Sequence, residues 1–201
     1  MRPQIRSFPI DPYYRNNTVC ALGYHEVGHY VIARALGFKT GSLKLKMLDL
    51  NGGHIGGSII EPVRALSGVD DILKFLEARV QVLYAGALAQ SLSNGKADDE
   101  VAVSILENGG GQMDFGKARE LIHLIRNIKF PNAVNDGEIQ LDLDEINNDL
   151  WDRAKVLVEK DHEVICGLGR RLASGLNETG KEFELSEAEL ETLPAIQKRF
   201  R

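Results

Sequence analysis

Hydrophobic and polar positions change period several times along these 201 residues, and each change marks an element. Ala21, Leu22, His25, His29, Ile32, Ala33 and Leu36 recur at helical spacing, with Thr18 placed as an N-cap and Gly37 as a stop. The period then falls to two. Leu43, Leu45 and Met47 alternate with Ser42, Lys44 and Lys46, Asn51-Gly52-Gly53 supplies a turn, and His54 to Ile60 runs to Pro62, which predicts a β-hairpin. Ser67 with Asp70 reads as a capping box for a mostly buried helix carrying Ile72, Leu73, Leu76, Val80, Leu83, Ala87 and Leu88, ending at Asn94-Gly95. Beyond the acidic Asp98-Asp99-Glu100, a short apolar segment and Gly109-Gly110-Gly111 lead to another helix starting near Asp114. A loop from Pro131 to Gln140 precedes a final helical region, capped by Asp142 and Glu145 and reaching about Gly175. Ser186 with Glu189 then caps a short terminal helix. Residues 1–17, which hold three of the six prolines, read as an extended arm, and residues 18–201 as one domain. The fold class is α+β, mainly α-helical, with a small β-sheet.

Composition narrows the function classes. With 43% hydrophobic and 26% charged residues the chain has the make-up of an ordinary globular protein. Its 24 Lys+Arg against 29 Asp+Glu include no dense basic block, which argues against a nucleic-acid partner. No stretch approaches the roughly 18 consecutive apolar residues of a membrane span; the best, Val80 to Ala89, is short and interrupted by Gln81. The start, Met1-Arg2-Pro3-Gln4-Ile5-Arg6, lacks the apolar core of a secretory signal, so the expected location is cytoplasmic. Cys20 and Cys166 alone suggest neither a disulfide framework nor a Cys-based zinc site.

The chemistry is concentrated in His25-Glu26-Val27-Gly28-His29, the pattern H-E-x-x-H. At about 3.6 residues per turn the two histidines share one face of a helix, so both imidazoles can bind one Zn²⁺ while Glu26 serves as general base. The bland alternative is a pair of packing histidines. Against it stands Gly28, which costs roughly 1 kcal/mol in a helix interior and so implies a close backbone approach. A catalytic zinc needs a third protein ligand. The metzincin extension is excluded, because Ile32 and Ala35 stand where Gly and His would be required. By chemistry alone Glu61, Glu77, Asp98, Asp99, Glu100, Asp114, His54 and His123 remain, the two histidines reading as solvated loop and helix residues. Asp114 is set apart by following a glycine-rich loop at a helix start.

Two near-motifs carry less. Gly111 to Ala118 almost spells a P-loop, but Ala118 lacks the hydroxyl that binds Mg²⁺ and no clear strand precedes it. In His162-Glu163-Val164-Ile165-Cys166 a cysteine replaces the second histidine.

The chain resembles the zinc-peptidase domain of the FtsH-type membrane AAA proteases. Tyr24-His25-Glu26-Val27-Gly28-His29 is similar to that family's H-E-x-G-H, Tyr84 to Gln90 to its G-G-R-x-A-E helix, and Gln112-Met113-Asp114-Phe115 running into Ala118 to its N-D-L segment. The resemblance extends from about residue 18 to 192. It departs at Ala87 and Gln90, which stand for Arg and Glu, and in a longer connection to Asp114. The resemblance implies that His25, His29 and Asp114 hold Zn²⁺, that Glu26 takes the proton of the attacking water and returns it to the leaving amine, and that the substrate is a polypeptide. No residue is singled out to stabilise the oxyanion: the metal itself can do so, with Tyr24 and His54 as the side-chain candidates. The family's ATPase module and membrane helices have no counterpart in these residues. The expected activity is therefore ATP-independent hydrolysis of unfolded or flexible chains, with a separate ATPase or adaptor as a conceivable partner and oligomerisation left open. The rival reading is a non-catalytic, peptidase-like regulatory module of an ATP-dependent protease system.

Overall fold

The computed structural model describes residues 7–132 and 135–200. Of the expected extended arm, residues 1–6 lie outside the described residues, and residues 7–11 bridge at Pro9 to Glu178. The helical part starts earlier than Thr18. Asp11 caps α1 (Pro12–Tyr14) by accepting the Tyr14 N–H at 3.0 Å, Pro12 occupies the first helical positions, and a π-helical segment (Arg15–Val19) feeds directly into α2 (Cys20–Ala35). The Thr18 cap is thus corrected: with α1 already begun, Thr18 lies inside a continuous helical run and has no free turn to cap. Gly37 does end α2. Its φ of +80° lets Gly37 N–H reach Arg34 O and Phe38 N–H reach Ala33 O, closing a Schellman motif.

The hairpin forms as its alternation predicts, from β1 (Lys39–Met47) and β2 (His54–Glu61), with Leu45 opposite Gly56 and a bulge between Thr40 and Leu43. The acidic residue reaching back before α3 (Val69–Gln90) is Asp71, which accepts Ser67 N–H at 3.1 Å; Gly68 is the N-cap. Asp70 therefore does not close the expected capping box. A two-residue ladder, β3 (Leu92–Ser93) with β4 (Lys96–Ala97), precedes α4 (Asp99–Asn108), and α5 (Gln112–Lys129) starts two residues before Asp114.

The last helical region is two helices, α6 (Asp136–Lys160) and α7 (His162–Ser174). The α6 cap is Asn135, whose side chain accepts Glu138 N–H at 2.9 Å, so Asp142 and Glu145 lie inside the helix. Strand β5 (Glu182–Leu185), too short to show in the hydrophobic pattern, pairs with β1 and completes an antiparallel sheet of order β2-β1-β5. The Ser186–Glu189 capping box opens α8 (Glu187–Thr192), followed by α9 (Pro194–Phe200).

Helix α2 is the centre of this α+β fold, packed by α3, α7 and the hairpin. It is apolar around most of its circumference because it is covered on several sides. Two of its glycines set the spacing. A Cβ on Gly23 would lie 2.7 Å from the Gly169 carbonyl oxygen of α7, and one on Gly28 would lie 2.5 Å from the Ala85 carbonyl oxygen of α3. Val27, Val31 and Ile32 are fully buried, each contributing on the order of 1.5–3 kcal/mol. Among the described residues no helix is long and apolar enough to cross a membrane.

Candidate metal centre

His25 and His29 stand one turn apart on α2 with ring centroids 4.8 Å apart, and Glu26 lies between them in sequence. All three are buried. Asp114, in the first turn of α5, completes a cluster: its Oδ2 is 3.6 Å from His25 Nε2 and 3.2 Å from His29 Nε2. A tetrahedral zinc site with bonds of about 2.0–2.1 Å separates its ligand atoms by roughly 3.3 Å, so this spacing fits one ion. Among the described residues, His25, His29 and Asp114 form the group of His, Cys, Asp or Glu side chains able to hold a metal.

Second partners fix both rings. His29 Nδ1–H donates to Val82 O at 2.7 Å, and His25 Nδ1–H donates to Gln90 Oε1 at 2.9 Å, which turns each Nε2 toward the cluster. Space for an ion is kept by a glycine. A Cβ on Gly86 would sit 2.4 Å from His29 Nε2 and 2.7 Å from His25 Nε2, where the donor atoms converge. Burial alone would raise the Asp114 pKa, but hydrogen bonds and positive charge from the His25 and His29 imidazoles more than offset it and hold the carboxyl far below its usual range. Burial presses the His29 pKa down, while Asp114, Glu26 and the Val82 carbonyl raise it to a net increase. An ionised carboxylate between two imidazoles is a donor set suited to zinc.

The edge strand approaches the same centre. A Cβ on Gly56 would lie 2.1 Å from Glu26 Oε1, so the absence of a side chain there lets the Glu26 carboxylate reach the β2 backbone. Between them opens a cleft of about 500 Å³ whose walls include His54, Gly56, Arg79, Met113 and Lys117.

The other candidate ligands are placed elsewhere. Glu61 pairs with Lys39 at 2.9 Å, and Glu77 with Arg153 at 3.1 Å and with Lys129. Asp98 caps α4 through Val101 N–H at 3.1 Å, and Asp99 accepts Trp151 Nε1–H at 3.0 Å. Glu100 is exposed on α4, and His123 lines a separate cavity between α5 and α6. His54 is not a solvated loop residue: it opens β2, donates from Nδ1 to Gly52 O at 2.9 Å and lines the cleft. Tyr24 faces α7, where a Cβ on Gly169 would meet its ring at 2.4 Å, which removes it as an oxyanion candidate.

Sequence spacing does not mark Gln90, Gly56, Gly86 or Arg79 as site residues. Gly86 carried the same signal as Gly28, a glycine inside an apolar helix; the other three join the site only through tertiary packing. A scan against protein-family models found no match, and a search of curated proteins found no relative.

Proposed function

We propose that this chain is a zinc-dependent endopeptidase, similar to the FtsH-type peptidase domain, that hydrolyses peptide bonds in unfolded or flexible polypeptides without ATP. The observation that carries this reading is the convergence of the His25, His29 and Asp114 donor atoms beside a Glu26 carboxylate that lies against the backbone of an edge strand.

His25, His29 and Asp114 would hold the ion, and the chemistry it supplies when bound is Lewis acidity toward a peptide carbonyl and a water molecule. Glu26 is not one of the cluster ligands, so its carboxylate is free to accept a proton from water at Oε and deliver it to the departing amine nitrogen. Among the described residues strand β2 pairs with β1 on one side only. An extended segment added along its free side by backbone hydrogen bonds would bring a peptide carbonyl to the position of Gly56 and Glu26. That mode requires an unfolded segment, so a folded substrate would need a separate ATPase or adaptor to present it.

The test is incubation of the zinc-loaded protein with denatured and native forms of one substrate protein, without ATP, followed by mass mapping of fragments. Cleavage of the denatured form alone, abolished by chelator and restored by Zn²⁺, is expected. Equal cleavage of both forms, or cleavage indifferent to chelator, contradicts the proposal.

A further inference from the structure

Arg79 lies on the α3 face that carries Val82 and Gly86, two of the residues in contact with the metal-site histidines, and it lines the same cleft. Its guanidinium is half-buried over the Phe38 ring, with its carbon 5.7 Å from the ring centroid. Phe38 directly precedes Lys39, which is paired in register with Glu61, so Arg79 stands at the end of the cleft where β2 finishes. Glu61 at that end is engaged by Lys39. Among the described residues no ion pair joins Arg79 or Lys117 to a carboxylate.

The charged residues of the cleft balance two against two before an ion is counted. Its acidic lining residues are Glu26 and Asp114, beside the metal centre, and Arg79 and Lys117 are its two cations, neither drawn into an ion pair among the described residues. A bound divalent cation would turn that balance net positive. Burial depresses the Arg79 pKa and the Asp114 charge offsets that only in part, so the guanidinium is held partly dehydrated at a cost that a ligand can offset. Its planar fork matches a carboxylate.

Resting on the peptidase reading, we propose that Arg79 receives a substrate carboxylate, supported by Lys117 at the rim, so that the cleft selects acidic peptide segments. From Gly56, beside Glu26, to Ile60 at the Arg79 end is four residues of strand, roughly 13 Å. The carboxylate therefore belongs to a residue a few positions from the scissile bond, or to a chain terminus at that distance.

Binding of short fluorescein-labelled peptides to the zinc-loaded Glu26→Gln protein, read by anisotropy, tests this without turnover. One peptide carries a Glu moved stepwise along a neutral sequence ending in an amide, a second carries Gln in its place, and a third is neutral but ends in a free carboxylate. At the favoured position the Glu peptide is expected to bind about tenfold tighter than the Gln peptide. That advantage is expected to shrink in added salt and to fall toward unity with Arg79→Met introduced. An advantage confined to the free-acid peptide assigns the carboxylate to the chain terminus. Equal binding of all three, binding of none, or a full advantage retained by folded Arg79→Met overturns the proposal. If Arg79→Met does not fold, Arg79→Lys replaces it: losing the fork is expected to cut the advantage severalfold, and an undiminished advantage overturns it. Hydrolysis by the wild-type zinc form is scored separately. Discrimination in binding without hydrolysis contradicts the peptidase reading alone, and hydrolysis without discrimination contradicts this inference alone.

Discussion

His25 Nδ1 and Gln90 Oε1 lie 2.9 Å apart across the α2–α3 packing, and this hydrogen bond orients the imidazole whose Nε2 faces Asp114. A ligand histidine held in this way loses metal affinity when its partner is removed. Gln90→Leu is expected to weaken zinc binding about 10–100-fold, while Gln90→Glu, which keeps an acceptor and adds charge, retains it. Competition with a chromogenic chelator measures both, and unchanged affinity in Gln90→Leu would show that the bond does not orient the ligand.

Gly86→Ala places a methyl group where the histidine donor atoms meet, 2.4 Å from His29 Nε2. Loss of zinc binding with the helical circular dichroism retained is the expected result. Gly116→Ala in α5 is the control, because a Cβ there meets nothing within 4 Å. It should leave zinc binding unchanged and stabilise the fold by roughly 0.5–1 kcal/mol.

The features legible in the sequence are those whose signal is local. The i, i+4 spacing of His25 and His29, the Leu43-Leu45-Met47 alternation and the Ser186–Glu189 box each involve neighbours in sequence, and each is found in the structure. The Asp11-Pro12 cap is equally local, but prolines at 3, 9 and 12 give that stretch the pattern of an extended arm. Strand β5 has four residues and exists because β1 offers it an edge. Gln90 meets His25 from 65 residues away, and Gly56 meets Glu26 through the hairpin register, so no period in the sequence announces either contact.

Asp114 is expected to be the third ligand. Asp114→Ala should lose zinc, whereas Glu61→Ala and Asp99→Ala should keep it, since those carboxylates are occupied by Lys39 and by Trp151. Zinc content by atomic emission after dialysis checks this, and loss of zinc from Glu61→Ala or Asp99→Ala would overturn the assignment.

Glu77 ties α3 to Lys129 of α5 and Arg153 of α6. Burial alone would raise its pKa, but the two cations bring it below the usual carboxylate value. A folded-state pKa below the unfolded one means that its stabilisation is present above an unfolded pKa of about 4.3 and is lost as pH falls through the lower folded value. Glu77→Gln should therefore flatten the acid side of the stability profile. Urea midpoints from pH 7 downward measure it, and identical acid slopes in both proteins would refute the linkage.

Glu26 is buried beside the two histidines yet outside the ligand cluster, so base and metal can be separated by one substitution. The decisive measurement compares zinc-loaded wild type with zinc-loaded Glu26→Gln on one denatured protein, with metal content determined on the same samples. The account predicts equal zinc in both and fragments from the wild type alone. Zinc-loaded wild type that yields no fragments, as a non-catalytic module would, or equal cleavage by Glu26→Gln, would contradict it.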